Sequence, residues 1–282
     1  IPESKKSTTL GQDIIELTDR LQRLPEVEAV SVSSNSRPYI GNNSGIRVRM
    51  DTLVSTPLQR FITPEFVRVF RYQSADGRGY QPLMQALRNG NIITGENFWF
   101  SGYKGERTLI GKELVDVDDS TNRFKIAAVS AKVRYNDFWA NYSDRYIGIP
   151  FTEKQVAALE GESYPSNIEV CLRVKPGTSG DFPEYLMKLS DKQLNVGNLF
   201  ILQVHDYEDI RNEFERSSFN LVKTRFWIMF FLLLNILLGV VGTFWFRTQH
   251  RRSELALRIA VGSTRMQLWG HLNKEGLLLL AL

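Results

Sequence analysis

The acidic residues with the most suggestive spacing are Asp116, Asp118 and Asp119, which resemble the start of a calcium-binding loop. Such a loop also needs a central glycine and a closing glutamate, and both are missing here. A hairpin turn in DVDDSTNR is therefore the better interpretation.

No other set of residues predicts catalysis or metal binding. The sequence lacks the G-x-x-x-x-G-K-[ST] loop of ATPases, and GYKGER at residues 102–107 has the wrong glycine spacing, so it predicts a turn. The histidines are too scattered for a zinc site: His205, His250 and His271. We expect a non-enzymatic chain with no metal or cofactor of its own.

The residues best suited to bind a partner lie between positions 251 and 266. Glu254 and Arg258 are four apart, so on a helix they share a face and can pair. Leu255, Ile259 and Met266 would add apolar contacts. These residues alone leave two interpretations open: a partner grips the segment, or the segment only anchors at the membrane surface.

Helix signals divide this segment into two short helices. Ser253 is a candidate N-cap for SELALRIAV, and Gly262 fits a left-handed residue just after that helix. Thr264 and Gln267 then have the spacing of a capping box that opens a second helix. We name residues 251–266 the elbow, because helix, bend and helix follow one another.

The elbow follows a run of 21 residues without a formal charge, FWIMFFLLLNILLGVVGTFWF at 226–246. As a helix it is about 31 Å long, close to the hydrocarbon thickness of a bilayer. Trp227 and Trp245 lie near its ends, where indole rings favour the interface. The run predicts a transmembrane helix.

One face of this helix carries Asn235, Gly239 and Gly242. An amide in hydrocarbon needs a hydrogen-bond partner, and small residues allow close approach of a second helix. We expect this face to pack against another membrane helix.

The net charge of +4 is carried by residues 247–282, which favours a cytoplasmic tail. Within 15 residues of the helix ends, however, Lys and Arg are balanced at four on each side, so the topology signal is weak. Beside a membrane helix, the basic tail does not call for nucleic acid. The chain begins with Ile1, and LLLLAL at 277–282 opens a new apolar run, so we expect a fragment between two membrane helices.

The remaining sequence predicts an α+β domain of two lobes. Residues 1–75 and 165–206 read as helix-and-strand units, and 76–164 as an inserted β-rich lobe. Among the local elements, Thr63 is a candidate N-cap for a helix with Pro64 in its first turn, FPEYLMKL at 182–189 predicts a helix, and NLFILQV at 198–204 predicts a strand. Residues 207–225 predict a stalk helix that continues into the membrane helix, followed by a coupling segment at 247–276. Cys171 is the single cysteine, so no internal disulfide is expected.

The elbow sequence resembles the coupling-helix signature of the FtsX/MacB family of ABC-transporter permeases, roughly R-x-x-E-I-G-I-R-x-A-x-G-A. The matching positions are Arg251, Glu254, Arg258, Ala260 and Gly262. Ala256 departs from the pattern, since the family often has glycine there. PEVEAVS, ITPEFVRVF, LIGKEL and FKIAAVSAKVR follow in the order expected of a MacB-like periplasmic core domain.

The resemblance implies a permease in the bacterial inner membrane, with its large domain outside and its elbow docked on a cytoplasmic ATP-binding subunit. Conformational change in that ATPase would reach the outer domain by mechanotransmission, for export or release of an envelope substrate. A second permease copy or paralogue, and a periplasmic adaptor or cargo, are the further partners implied.

A membrane-anchored sensor or scaffold is the alternative, but a sensor would continue into a signalling helix rather than return to the membrane. The substrate is not readable from the sequence. Most residues of an aromatic-rich group in the inserted lobe are expected to lie in the core, and the hypothesis is that some are exposed and contact a protein partner or an apolar cargo. The group consists of Phe98, Trp99, Phe100, Phe138, Trp139, Tyr142 and Tyr146.

Overall fold

A computed structural model describes residues 10–41, 44–96, 109–133, 135, 145–159, 168–197 and 199–280. The chain divides into two compact units, Ile1–Arg216 and Ser217–Leu282. The first unit contains the α+β domain that is predicted to lie outside the membrane, which we name the outer domain, and the second contains most of the long apolar helix and the elbow.

The outer domain is built on a sheet of nine described strands. Their bounds are β1 Val27–Ser34, β2 Val48–Met50, β3 Leu53–Ser55, β4 Leu58–Ile62, β5 Ile92–Gly95, β6 Glu113–Asp116, β7 Arg123–Ser130, β8 Tyr146–Pro150 and β9 Ile168–Val174. The spatial order is β3-β2-β6-β7-β5-β8-β4-β1-β9. The pairs β4–β8 and β5–β7 are parallel, and the others are antiparallel.

Short helices pack on this sheet. They are α1 Leu10–Gln22, α2 Phe66–Val69, α3 Gln81–Arg88, α4 Glu153–Ala157 and α5 Phe182–Leu189, the last followed by a π-helical turn, Ser190–Leu194. Helix α1 buries Ile14, Leu17 and Leu21, the stripe that its spacing predicts. Leu83 and Leu87 of α3 pack in another cluster of the core.

Three helices complete the chain: α6 Tyr207–His250, α7 Arg252–Ala260 and α8 Arg265–Leu280. Within the described residues, α6 is the one helix long and apolar enough to span a membrane. It confirms that the stalk continues into the apolar run without interruption. The α+β class and the long apolar helix after it are likewise confirmed.

The division of the outer domain into lobes stays a prediction. Strand β2, from the segment 1–75, is hydrogen-bonded to β6, from the predicted insertion, with Val48 opposite Asp116. Strand β4 likewise pairs with β8. The described strands of the two predicted lobes therefore lie next to one another in the same sheet.

Two local predictions for the outer domain are wrong. Thr63 does not cap α2, whose N-cap is Glu65; the Thr63 hydroxyl instead accepts from the Val32 amide at 3.2 Å, and so joins β1. Over its described residues, 199–204, the predicted strand NLFILQV is not paired with another strand. Leu199 forms an isolated bridge with Val196.

Candidate coupling site

The elbow begins at a one-residue break between α6 and α7. Arg251 (φ −97°, ψ 11°) separates the two helices, yet its carbonyl accepts from the Leu255 amide at 3.0 Å. Because this bond already closes a helical turn, α7 starts at Arg252. Ser253 therefore lies inside the helix, and its predicted capping role is wrong.

The end of α7 confirms the prediction for Gly262, which has φ +100°. The Ser263 amide donates to the Arg258 carbonyl at 2.9 Å, and the Gly262 amide donates to the Ile259 carbonyl at 3.0 Å. These two bonds form a Schellman motif, which satisfies carbonyls that the helix end would leave unpaired. The bend is thus specified by the backbone.

The predicted capping box is also present. The Thr264 amide donates to Gln267 Oε1 at 3.0 Å, and the Gln267 amide donates to Thr264 Oγ1 at 3.4 Å. One helix therefore ends at Gly262 and the next begins after Thr264, so hydrogen bonds define both sides of the bend between α7 and α8.

The charged pair of the elbow forms as its spacing predicts. Arg258 Nη2 donates to Glu254 Oε1 at 2.8 Å, and the two side chains remain 43% and 48% exposed. A pair this exposed stabilises the helix by only a few tenths of a kcal/mol. Most of its hydrogen-bonding capacity is still open to a partner.

The apolar residues around this pair differ partly from the prediction. Ile259 is 52% exposed and Met266 84%, but Leu255 is half-buried. Three exposed residues were missed by the sequence analysis: Leu257, Val261 and Trp269. At 100° per residue, Leu257 and Val261 flank Glu254 and Arg258, so the spacing already contained this signal.

In the membrane helix, the Asn235 side chain donates to the Phe231 carbonyl of its own helix at 2.7 Å. One amide hydrogen is therefore satisfied without a neighbouring helix. Helical spacing places Gly239 and Gly242 on the same face, and each has open space around its Cα, with nothing within 4 Å of an added Cβ. The packing role of this face stays a prediction.

The first turns of α6 join the outer domain through four aromatic rings, which we name the stalk-base cluster: Tyr39, Phe70, Tyr207 and Phe214. Ring centroids lie 6.0 Å apart for Tyr39–Tyr207 and for Tyr39–Phe214, and 5.4 Å for Phe70–Tyr207. Tilted and edge-on aromatic pairs at such distances are stabilising. The start of the stalk is thus held by packing as well as by chain connectivity.

Backbone geometry permits this close packing. Tyr39 has φ +59°, which is uncommon for a residue other than glycine. Gly41 has φ +74°, and a Cβ there would lie 3.1 Å from the Phe214 ring. The cluster is not predictable from the sequence alone, because Tyr39 and Phe70 are remote from the stalk helix in sequence. Its one local signal is the seven-residue spacing of Tyr207 and Phe214.

A buried polar group connects the cluster to the sheet. The Tyr39 amide donates to the Tyr135 carbonyl at 3.1 Å. The Arg60 side chain of β4, 2% exposed, lies with Cζ 3.1 Å from the centroid of the Tyr135 ring. This cation–π contact helps to stabilise a buried charge. Burial raises the pKa of Tyr135 above its usual value, so the phenol stays neutral.

The other residues that the sequence offered as candidates for metal binding or partner contact either have structural roles or lie outside the described residues. Asp116 Oδ1 accepts from the Asp118 amide at 2.9 Å, as a turn requires. No group of three or more His, Cys, Asp or Glu residues that could hold a metal occurs in the described part of the chain. The segments 97–108 and 136–144, which contain GYKGER and six of the seven aromatic residues, lie outside it. The seventh, Tyr146, is buried and bonds Ser130 at 2.6 Å.

No protein-family model matches the chain, and no curated protein matches it. The periplasmic region of MacB from Actinobacillus actinomycetemcomitans is similar to it, with 12% identity and a TM-score of 0.42 over 67% of this chain and 77% of that one. A domain of a protein described as a putative permease, from Porphyromonas gingivalis, is similar with 14% identity and a TM-score of 0.43, over 68% of this chain and 85% of that one.

The extracellular domain of the noncanonic ABC-type transporter YknZ from Gram-positive bacteria gives 14% identity and a TM-score of 0.39, over 66% of this chain and 79% of that one. MacB belongs to the family whose coupling-helix signature the elbow sequence resembles. Since all three TM-scores lie below 0.5, the functional proposal rests on this chain's own residues.

Proposed function

We propose that this chain is the permease subunit of an ATP-driven transporter of the FtsX/MacB type. The observation that carries the proposal is the elbow. A nine-residue helix that ends in a Schellman motif presents the Glu254–Arg258 pair directly after a helix that can span a membrane. In this role, the elbow binds a cytoplasmic ATP-binding subunit.

The composition of the elbow face favours docking over simple anchoring. Leu257 and Val261 are 67% and 82% exposed and flank the charged pair. Inserting that face into lipid would place charges among hydrocarbon, which is costly. A protein groove with complementary charges would instead partly bury the pair, fix its register and gain apolar contact.

The stalk then carries the conformational change outwards. The helix Tyr207–His250 contains both the apolar run and the rings of Tyr207 and Phe214. At the outer domain, contacts lead from Tyr207 through Tyr39 and Tyr135 to Arg60 of the sheet. Movement of the stalk would therefore act on the sheet through packed rings and the backbone hydrogen bond between Tyr39 and Tyr135. ATP itself would be bound by the partner subunit.

The proposed localisation is the bacterial inner membrane, with the outer domain on its extracytoplasmic side. The class of process is export or release of an envelope substrate. A second copy of the chain or a paralogue would complete the permease, and a periplasmic adaptor or the cargo itself would contact the outer domain.

The test is charge reversal in the elbow. In the reconstituted complex, Glu254→Lys should uncouple ATP hydrolysis from transport, because a like charge enters the docking groove. The outer domain should keep its melting temperature. Glu213→Lys, the same change at an exposed stalk position, is the matched control and should keep coupling.

A double reversal separates docking from helix stability. Glu254→Arg with Arg258→Glu restores an i,i+4 pair but reverses its polarity toward a partner. Docking predicts that the double variant stays uncoupled. Recovery of coupling would show that the pair only supports the helix, and wild-type coupling in Glu254→Lys would show that the elbow is a membrane anchor.

A further inference from the structure

The stretch RTQHRR at residues 247–252, which we name the basic joint, contains the last turn of α6 and the first residue of α7. It holds three arginines and a histidine. The chain has no acidic residue between Glu215 and Glu254, and the Glu254 carboxylate is bonded to Arg258. No acidic residue close in sequence therefore neutralises the joint.

Three side chains of the basic joint share one helix face. Arg247 and His250 are three residues apart, and the Arg251 amide donates to the Arg247 carbonyl at 3.1 Å, so helical spacing continues to Arg251. All three residues are exposed. The His250 ring packs against the Phe246 ring with centroids 4.6 Å apart, which restrains the imidazole on this face.

The depth of this face matches the headgroup layer of a bilayer. Arg247 directly follows the apolar run, and Arg251 lies about 6 Å further along the helix axis. The headgroup layer on each side of the hydrocarbon core is about 5–8 Å thick. The three side chains therefore lie at the level of lipid phosphates, which a soluble partner reaches only by displacing headgroups.

The basic face is distinct from the two surfaces described above. At about 100° per residue, its middle lies about 100° around α6 from the predicted packing face of Asn235 and Gly239. The Glu254–Arg258 pair belongs to α7, beyond the helix break at Arg251. Helix packing and ATPase docking thus leave this face available.

We propose that the basic joint binds the phosphodiester group of an anionic phospholipid. Each guanidinium group has five N–H donors, so Arg247 and Arg251 can each donate to phosphate oxygens even where another contact uses part of this capacity. His250 adds one ring N–H. Zwitterionic lipids bind less well, because their headgroup brings an ammonium group close to the guanidinium groups.

The inference deepens the proposed function and rests on it in one respect, that α6 spans a membrane. The joint lies where the long helix passes into the elbow. A bound headgroup would restrain the angle at this point, so coupling between ATP hydrolysis and transport should be higher in vesicles that contain phosphatidylglycerol than in vesicles of phosphatidylcholine alone.

The direct test is lipid binding by the full-length protein in detergent, measured by native mass spectrometry. The protein is titrated with phosphatidylglycerol and with phosphatidylcholine of the same acyl chains, and the anionic lipid should bind more tightly. Arg247→Gln/His250→Gln should lower its affinity at least about fivefold, the effect of one cation near a headgroup, and leave phosphatidylcholine binding unchanged.

The matched control is Lys223→Gln/Arg225→Gln, which changes two basic residues at the other end of the apolar run. These residues are two apart and point to opposite sides of the helix, so they cannot converge on one headgroup. Phosphatidylglycerol affinity should change less than about twofold in this control, since its contribution comes from diffuse attraction alone. Equal losses in the two double variants would overturn the site.

Three other results would overturn the proposal. The first is equal affinity for the two lipids. The second is displacement of phosphatidylglycerol by an equal concentration of glycerol 3-phosphate, which would show that a soluble phosphate is the ligand. The third is weaker binding of the ATP-binding subunit by Arg247→Gln/His250→Gln with lipid binding unchanged, which would assign the joint to a protein partner.

The lipid site and the proposed function can fail separately. Lipid binding is measured without the ATPase, so an uncoupled elbow does not affect it. A chain that leaves the membrane without detergent would overturn the membrane span and both ideas with it. A membrane-bound chain with a working elbow and no preference for phosphatidylglycerol would overturn the lipid site alone.

Discussion

The hydroxyl group of Tyr207, in the first turn of the stalk helix, donates to the carbonyl oxygen of Pro38 at 2.8 Å. The same ring packs against Phe70 and Tyr39. One residue thus fixes the start of the stalk both by a directional bond and by apolar contact.

The two contributions of Tyr207 can be separated. Tyr207→Phe removes the bond and keeps the ring, so it should cost about 1 kcal/mol of outer-domain stability. Tyr207→Ala removes both, and should cost about 3 kcal/mol and weaken coupling of ATP hydrolysis to transport. Denaturant unfolding of the solubilised chain measures the first effect. Tyr185→Phe, at an exposed tyrosine of α5, should change neither quantity. Equal stability of Tyr207→Ala and wild type would contradict the role of the cluster.

Gly262 offers a test of the elbow bend. Its φ of +100° disfavours side chains, and no atom lies within 4 Å of an added Cβ, so the cost comes from the backbone alone. Gly262→Val should cost more than about 1 kcal/mol locally and reduce coupling, because a β-branched residue rarely adopts positive φ. Gly262→Asn should be tolerated better. The measurement is ATPase stimulation by the permease in proteoliposomes, and equal activity of the two variants would argue against a required bend.

Asn235 tests the membrane packing face. Since one amide hydrogen is already bonded to Phe231, an interhelical bond would use the other hydrogen or the oxygen. Asn235→Leu should therefore weaken assembly by about 1 kcal/mol or less. Native electrophoresis of the detergent-solubilised complex measures assembly, and Leu237→Ala provides a comparison on another face. Unchanged assembly and ATPase activity in Asn235→Leu would refute the packing role.

The thiol of Cys171, on β9, should react slowly in the folded chain. Burial raises its pKa to about 12, and the nearby Glu169 charge adds to the increase. At pH 8 the thiolate fraction is then on the order of 10⁻⁴, against about a tenth for a thiol whose pKa is the unperturbed value near 9. Labelling by a thiol reagent should be slow until denaturant is added. Because the folded pKa is raised, this thiol stabilises the fold fully below the unfolded pKa, near 9, and the contribution is lost as pH rises toward 12. Fast labelling of the folded protein would contradict the burial.

Local signals in the sequence predicted the elements that local interactions determine. The helix FPEYLMKL at 182–189 was predicted with its observed bounds, and Pro183 lies in its first turn, where proline is tolerated. Gly262 and the Thr264–Gln267 box were also predicted, because their hydrogen bonds span only a few residues.

Predictions failed where distant segments decide the outcome. Thr63 had the local features of a cap, but β1 supplied a better partner in the Val32 amide. The stalk-base cluster combines Tyr39 with Tyr207, and no local pattern links them. Residues 199–204 have high strand propensity, but a strand also needs a neighbouring strand, and propensity does not predict where one is available.

The parallel pairing of β4 with β8 has a consequence for how the domain is made. Leu58 pairs with Tyr146, so the middle of the sheet joins segments separated by 88 residues of chain. Such long-range pairing is slow to nucleate, because a large loop must close before any contact stabilises it. In the proposed topology the domain crosses the membrane, so β4 emerges long before β8 and remains an open edge, a state prone to aggregation. Folding of the outer domain therefore waits for residue 150 to emerge, and its yield should depend on the rate of translocation.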